Sequence, residues 1–339
     1  MEAFDSVVVG LGLAGAAVAW ELRRRGRRVL VIDRGEPGTA SRVAAGLVTP
    51  VTGLRLALTP RLDEFYPVAV SLYRHAEAET GEGFFVERPA IRFFTDAAER
   101  ATFERRRRRG DPAFGATTRL DPAVNADWFT NPHGGFEMTT AARLDVPRYL
   151  DATRGHFARG GCFLAADLDP ARDLEVDAGG VRLPHFDVRA ESVVFCDGPA
   201  GRANPWLAHV AFTPAKGEVL TLRIPDLAED RVTHRGVWLA PAGGDVFRAG
   251  STYDRDDLSP VPTARGRDEI TGRLREFLRL PFEVLGHDAA VRPVVASRQP
   301  VSGLHPGHPR VAFLNGLGSK GVLLAPWHAA RLAEMLTAR

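Results

Sequence analysis

The chain has 339 residues, a net charge of +2 and 45% hydrophobic residues. This length suits one large domain or two intertwined domains, and the near-neutral charge does not identify a charged partner. Two cysteines, Cys162 and Cys196, are too few for a disulfide framework or a metal site. Both lie in apolar runs, where buried thiols are expected. No apolar run reaches the roughly 18 residues of a membrane span. A strand expected from about Ser6 leaves no room for a signal peptide, so a cytoplasmic protein is expected.

The first stretch has the pattern of a strand, a glycine turn and a helix. Val7–Val9 is a β-branched run typical of a buried strand. Gly10 permits a tight turn, Gly12 allows backbone N–H groups to approach a pyrophosphate, and Gly15 allows the following helix to pack against the strand. The helix predicted from Ala16 to Leu22 would direct its N-terminal dipole at the phosphates. This spacing predicts dinucleotide binding; the alternative is a tight turn without a ligand.

A second buried strand is predicted at 29–32, and Asp33 follows it. Asp33 lies about twenty residues beyond the glycines, where an acidic side chain accepts hydrogen bonds from a ribose. The alternative is a solvated acid at the end of a strand. Residues 35–60 are rich in Gly, Ala, Thr and Pro. A segment with so few large side chains, placed directly after Asp33, is typical of backbone that lies against a flat ligand.

Further elements follow in chain order, separated by turn residues. Helices are predicted at 64–80, 96–109, 147–159, 265–280 and 322–336, and strands at 84–94, 162–167, 192–196 and 311–314. Residues 212–254 are typical of antiparallel β-structure. Because strand–glycine–helix units occur at both ends, we expect an α/β fold in which a discontinuous Rossmann-like domain contains an inserted antiparallel β-sheet domain. The expected bounds are 1–80, 140–210 and 285–339 for the first domain, and 81–139 and 211–284 for the substrate domain.

Several segments together resemble the D-amino acid oxidase-like family of FAD-dependent oxidoreductases, which includes glycine oxidase and sarcosine oxidase. The resemblance covers nearly the whole chain in patches, and the order of the patches favours FAD over NAD. Besides the N-terminal glycines with Asp33-Arg34, the matching segments are SRVAAGLVTP at 41–50, LDVPRYLDAT at 144–153, VVFCDGPAG at 193–201, AKGEVLTL at 215–222, AGSTYD at 249–254, AVRPVVASRQPVSG at 290–303 and NGLGSKGVLLAP at 315–326.

The last of these segments is the most particular. Its GLGSKG followed by Ala-Pro is most similar to the flavin domain of the bifunctional enzyme that modifies the tRNA wobble uridine, which also oxidises a C–N bond. The resemblance implies FAD held without a covalent bond, and it implies no metal. The cofactor-binding residues expected from it are Gly10, Gly12, Leu13, Ala14, Gly15, Asp33, Arg34, Ser41, Arg42, Ala45, Gly46, Leu47, Leu168, Asp197, Gly198, Gly316, Gly318, Ser319, Lys320, Gly321 and Val322.

Three residues are expected to act on the substrate or the reacting ring. Arg292 matches the family's Arg-Pro position, which implies that it binds a substrate carboxylate; the alternative is an ion pair in the sheet. Tyr253 lines the pocket in one interpretation and packs ordinarily in the other. Backbone N–H groups at the start of the last helix stabilise negative charge on reduced flavin. Lys320 adds a full charge there or takes part only through its backbone.

The resemblance implies an FAD-dependent oxidoreductase that oxidises the C–N bond of a small amine or amino acid by hydride transfer to flavin N5. The sequence leaves the amine, the electron acceptor and the oligomeric state open. One alternative is a tRNA-modifying oxidoreductase, for which Arg105–Arg109 would contact phosphates rather than solvent. Another is a flavin-binding protein without turnover.

Overall fold

Two eight-stranded sheets organise the chain in this computed structural model, which describes residues 1–53 and 56–338. The first sheet has a parallel centre, as the predicted Rossmann-like fold requires. Its parallel strands lie in the order Phe163–Ala165, Val29–Asp33, Glu2–Val9, Val188–Phe195 and His308–Asn315. Strands from both ends of the chain therefore share one sheet, which confirms the discontinuous fold.

Antiparallel strands that the sequence did not reveal extend the first sheet. Val301–His305 pairs with the final strand, while Gly180–Leu183 pairs with the beginning of Val188–Phe195 and with Glu175–Asp177. On one edge, Val188–Phe195 thus pairs with Gly180–Leu183 along its first half and with His308–Asn315 along its second half. The short lengths and mixed polarity of these extra strands explain why periodicity alone did not predict them.

The second sheet is antiparallel except at one pair. Its order is Glu283–Arg292, Ala215–Arg223, Val246–Gly250, Val237–Gly243, Thr233–Arg235, Ala90–Phe93, Gly135–Met138 and Thr117–Leu120. The pair of Thr233–Arg235 with Ala90–Phe93 is parallel. Glu283–Arg292 pairs along the whole of Ala215–Arg223, so the domain boundary predicted at 285 lies inside a strand of this sheet. The division into domains stays a prediction.

The single strand predicted at 84–94 is two strands in the structure. Phe85–Glu87 joins a three-stranded sheet with Ala142–Leu144 and Leu47–Val48, whereas Ala90–Phe93 belongs to the second sheet. Pro89 separates them, and a proline has no N–H to donate to a sheet ladder. A two-stranded ribbon pairs Val51–Thr52 with Ala57–Leu58.

The predicted helices are present, and several begin at a residue whose side chain caps the helix. Asp96 accepts a hydrogen bond from the backbone N of Glu99 at 2.7 Å, and Thr263 accepts one from Gly266 N at 3.0 Å. The helix predicted to reach residue 280 ends at Arg275, because the chain then turns to pair Leu278 with Phe129. The α-helices are Leu13–Arg24, Ala40–Val43, Leu62–Thr80, Ala97–Arg108, Val146–Arg159, Ala264–Arg275 and Gly321–Thr337, and 3₁₀ turns lie at Pro112–Phe114, Pro184–Phe186, Gly198–Arg202 and Pro205–Leu207.

Separate apolar cores support the two sheets. Trp20, fully buried, lies in the core around the first sheet, and its indole N–H donates to Thr153 Oγ1 at 3.0 Å. A second core lies between the second sheet and Ala264–Arg275. Both cysteines are buried and unbridged, as predicted. Among the described residues, no helix is long and apolar enough to cross a membrane.

Candidate functional site

The N-terminal turn is closely packed around its glycines. Gly10 has φ of +95°, and a Cβ there would lie 2.6 Å from the carbonyl oxygen of Cys196. A Cβ on Gly15 would lie 1.8 Å from Gly10 O, so the first helix approaches the turn as closely as the sequence predicted. The Leu13 N–H donates to Ser41 Oγ at 3.1 Å. The segment around residue 41 is thereby fixed against the start of the first helix.

Asp33 is positioned by backbone donors at the end of its strand. Its Oδ2 accepts from Leu11 N at 2.7 Å, and its Oδ1 accepts from Gly35 N at 2.8 Å. These bonds fix the carboxylate beside the glycine turn. Each carboxylate oxygen has further lone pairs, so Asp33 remains able to accept hydrogen bonds from ribose hydroxyls.

The two ends of the chain meet at this turn. Asn315 donates from Nδ2 to Asp197 Oδ1 at 3.1 Å and to Gly198 O at 2.9 Å, which ties the last strand to Val188–Phe195. Burial raises the pKa of the Asp197 carboxyl. A Cβ on Gly321 would lie 3.0 Å from Leu13 Cδ1. The N-termini of the first and last helices are therefore neighbours, as the sequence predicted.

A cavity of about 1120 Å³ lies between the two sheets, and both chain ends contribute to its wall. This volume exceeds that of typical small-ligand pockets, roughly 300–1,000 Å³, and it fits a dinucleotide together with a small substrate. The residues expected from the sequence that line it are Gly10, Gly12, Leu13, Ala14, Asp33, Arg34, Ser41, Ala45, Gly46, Leu47, Leu168, Asp197, Gly198, Arg292, Gly318, Ser319, Lys320, Gly321 and Val322.

Four residues expected at the site do not line this cavity. Gly15 and Gly316 serve packing, since a Cβ on Gly316 would lie 2.9 Å from Val295 Cγ1. Arg42 forms an ion pair with Asp151 and lines an adjacent groove. Tyr253 is 53% exposed, because the preceding residue, Thr252, takes the inward position and accepts a hydrogen bond from Glu218 N. The structure therefore does not place these four residues in the cavity wall.

Lys320 stands at the start of the last helix, at the edge of the cavity. Its ammonium donates to Thr59 Oγ1 at 2.8 Å, and among the described residues no carboxylate forms an ion pair with it. Burial lowers the pKa of Lys320. A desolvated ammonium at a helix N-terminus favours an anion in the cavity beside it.

Arg292 is a second partly buried cation without an acidic partner among the described residues. Its Nη2 donates to Ser251 Oγ at 2.7 Å, and its Nη1 donates to the carbonyl of Thr252 at 3.2 Å. Burial lowers the pKa of Arg292. The guanidinium lies directly over Gly217, where a Cβ would be 1.9 Å from Nη2. The Tyr253 ring lies 5.6 Å from the guanidinium carbon.

The second sheet contributes residues that the sequence did not reveal. Gly217, Trp238, His234 and Arg92 all line the cavity from this sheet. The sequence signals for them were the place of Gly217 in the segment AKGEVLTL and the tryptophan in Val237–Gly243. Their role depends on which strands neighbour one another, and strand order across a sheet is not visible in local periodicity.

Lys216, close to Arg292, is structural. It is 1% exposed, and its ammonium donates to Asp257 Oδ2 at 2.6 Å. This pair fixes the loop that follows Asp254 to the strand Ala215–Arg223.

This fold, with one cavity walled by both ends of the chain, is that of an oxidoreductase that uses FAD. The chain belongs to the FAD dependent oxidoreductase family, whose model matches residues 5–335. It is 26% identical over 349 residues to glycine oxidase of Bacillus licheniformis, a match that covers 98% of this chain and 93% of the relative. The structure of glycine oxidase from Geobacillus kaustophilus superposes with a TM-score of 0.83 at 20% identity, covering 100% of this chain and 96% of that one.

A longer relative shares the same region. The chain is 31% identical over 351 residues to the tRNA 5-methylaminomethyl-2-thiouridine biosynthesis bifunctional protein of Caulobacter sp. (strain K31), covering 98% of this chain and 54% of the relative. These matches confirm an enzyme that uses FAD, and they favour turnover over the alternative of a flavin-binding protein without it. The closely packed turn at Gly10, Gly12 and Gly15 fits that cofactor, and so does the ammonium of Lys320, which has no carboxylate partner within residues 1–53 and 56–338.

Proposed function

We propose that this enzyme oxidises the C–N bond of a small amine or amino acid that carries a carboxylate, as a glycine oxidase-like enzyme does. The observation that carries the proposal is the guanidinium of Arg292, which reaches the cavity without an acidic partner among the described residues. Arginine binds a carboxylate through two parallel hydrogen bonds. A carboxylate there would neutralise a partly buried charge and orient the attached amine.

Bound FAD, held without a covalent bond, supplies the two-electron acceptor for the hydride that leaves the carbon next to nitrogen. The chain's own residues bind the cofactor and orient the substrate. Backbone N–H groups of Gly12 and Ala14 would bind the pyrophosphate, and Asp33 the ribose. The positive charge of Lys320 and the N-terminus of the last helix stabilise negative charge on the cofactor. Arg292 positions the substrate.

An anaerobic amine panel tests this proposal. Purified protein is mixed with glycine, sarcosine, D-amino acids and the matching amines that lack a carboxylate, and flavin absorbance is followed. We expect carboxylate-bearing amines alone to bleach the flavin. Arg292→Ala should weaken their binding by roughly 2–4 kcal/mol, because a buried charge loses its partner, with FAD uptake unchanged. Bleaching by amines regardless of a carboxylate, or intact affinity in Arg292→Ala, would contradict the assignment.

A tRNA-bound amine is the second candidate substrate. It is supported by the 31% identity to the tRNA-modifying relative and by Arg105–Arg109, most of which is exposed at the end of Ala97–Arg108. Phosphate contacts produce binding that weakens steeply with salt. Retention of tRNA at moderate salt, lost when Arg107 and Arg108 are replaced by Ala, would support this candidate. If the protein retains no tRNA at low salt or at moderate salt, this candidate is excluded.

A further inference from the structure

The cavity continues beyond Arg292 along one face of the second sheet. Val219, Gly250, Trp238, His234 and Arg92 are cross-strand partners in one row, and all five line the cavity. Directly paired residues present their side chains to the same face of a sheet. Three strand spacings, roughly 14 Å, separate the strand that carries Gly217 from the strand that carries His234. The cavity thus has a second end, remote from the carboxylate position.

Trp238 forms the floor between the two ends. A Cβ on Gly250 would lie 2.8 Å from Trp238 Cζ2, so the indole lies across that glycine on the neighbouring strand. Gly250 therefore provides the space that lets a flat ring lie on the sheet. Trp238 is only partly buried and lines the cavity. A ligand that reaches from Arg292 to the far end must pass over this aromatic surface.

The far end contains polar atoms that the protein does not satisfy. Arg92 is 3% exposed, and its Nη2 donates to Gly53 O at 3.0 Å and pairs with Glu99. Its Nε lacks a hydrogen-bond partner, as does Nδ1 of the neighbouring His234, among the described residues. Buried polar groups in native proteins are nearly always paired with protein, water or ligand. These two orphaned groups mark a place where a further polar group is expected.

The charge at this end differs from the charge at Arg292. Glu99 compensates the guanidinium of Arg92. Burial, with a smaller contribution from Arg92, lowers the pKa of His234 to about 3, so its imidazole is neutral at pH 7. The far end of the cavity therefore presents hydrogen-bonding groups but carries no net positive charge. A second carboxylate would lose its hydration without gaining a counter-ion, whereas an uncharged carbonyl or amide would lose much less.

We propose that Arg92 and His234 form a second subsite, which binds an uncharged hydrogen-bonding group at the distal end of an N-substituted glycine. This inference rests on the proposed function, because it assumes that Arg292 binds the glycine carboxylate. The substrate class is then a secondary amine, with a carboxymethyl group on one side of nitrogen and an extended substituent that ends in an amide, carbonyl or heterocycle on the other.

Binding of carboxymethyl thioethers tests the subsite without turnover, because sulfur replaces the reacting nitrogen. Holoenzyme is titrated with thioethers of increasing spacer length that end in a primary amide, a carboxylate or an alkyl group of the same size, and flavin absorbance reports Kd. At the optimal length we expect the amide to bind about fivefold more tightly than the alkyl ligand, the contribution of one neutral hydrogen bond. The carboxylate should bind no better than the alkyl ligand.

Variants of His234 test whether this residue causes the preference for the amide ligand over the alkyl ligand. His234→Leu should bring the ratio of amide to alkyl affinity to about one, and His234→Gln, which retains hydrogen-bonding capacity, should restore part of it. His308→Leu, at an exposed position outside the cavity, should leave the ratio unchanged. If His234→Leu does not retain FAD, the ratio of amide to alkyl affinity in the wild type and in His234→Gln still tests the subsite.

Two results would overturn the subsite: equal affinity of amide and alkyl ligands at every spacer length in the wild type, or a ratio unchanged in His234→Leu. Tightest binding of the distal carboxylate would also overturn it, since it would show a net positive end. The short ligand (methylthio)acetate separates this test from the proposed function. Its binding reports Arg292 alone, so a flavin shift with that ligand leaves the proposed function intact whatever happens at the far end.

Discussion

At the scale of single residues, the lack of a side chain at Gly217 leaves the space in which the Arg292 guanidinium lies. Gly217→Ala would place a Cβ 1.9 Å from Nη2 and 2.2 Å from Cζ of Arg292. The guanidinium would have to leave the position in which Ser251 and Thr252 hold it. We predict that Gly217→Ala weakens carboxylate ligands at least tenfold while FAD affinity stays unchanged, because a displaced guanidinium loses a bidentate geometry. Titration with (methylthio)acetate, followed by flavin absorbance, measures this.

Gly272→Ala is the matched control. Gly272 is an exposed glycine in Ala264–Arg275, and no atom of the described part of the chain lies within 4 Å of a Cβ placed there. The change should leave ligand affinity intact and stabilise the fold by up to about 1 kcal/mol, the helix preference of Ala over Gly. Equal ligand affinity in Gly217→Ala and the wild type would mean that Arg292 does not bind the carboxylate.

Residue types were predictable from the sequence where their role follows from a local motif. The turn glycines and Asp33 follow from a single βαβ pattern, and the structure places Gly10, Gly12 and Asp33 in the wall of one cavity. Gly217 and His234 have no such motif. Their meaning arises only when Gly217 lies beneath Arg292 and His234 lies beside Arg92, and neither contact is local in sequence.

At the scale of elements, the last helix combines its dipole with a buried cation. Lys320 stands at the N-cap of Gly321–Thr337, and burial lowers its pKa below 10.5. Lys320→Met removes the charge and keeps most of the side-chain volume. We predict a lower midpoint potential for the bound flavin, since the reduced cofactor loses electrostatic stabilisation. Anaerobic redox titration against a reference dye measures the potential, and an unchanged potential would leave only the backbone of the helix in that role.

The same variant gives a stability signature with a defined sign. A lysine whose folded pKa lies below its unfolded pKa binds fewer protons when folded, so its cost is full at low pH and decreases as pH rises towards 10.5. We therefore expect the apoprotein of Lys320→Met to be more stable than the wild type near pH 7. The difference should diminish at alkaline pH, as measured by urea unfolding.

At this scale, periodicity and caps predicted the helices well and the strands unevenly. The helix expected at 147–159 is Val146–Arg159, because Asp145 caps it and Pro147 fits its first turn. The strands Glu175–Asp177 and Val301–His305 escaped prediction. Each is three to five residues long and stabilised by its partners rather than by its own pattern.

At the scale of the whole molecule, one cavity is walled by both sheets, so a bound cofactor should couple them. Gly12 lies directly before the first helix, Lys320 directly before the last, and Gly217 in the second sheet. We predict that FAD at about 100 times its Kd slows amide hydrogen exchange by up to roughly 100-fold in 10–15, in 316–322 and in strand 215–223. Segments that open only when the ligand leaves gain its full binding free energy.

ADP provides the control for that experiment, because it carries the pyrophosphate and the adenosine ribose without the isoalloxazine ring. It should slow exchange in 10–15, next to the Asp33 carboxylate, and leave strand 215–223 as it is in the apoprotein. Slowing of 215–223 by ADP would show that protection spreads through the fold rather than through ring contact. Protection of 10–15 alone by FAD would remove the second sheet from the site, and with it the expectation that Arg292 binds the substrate carboxylate.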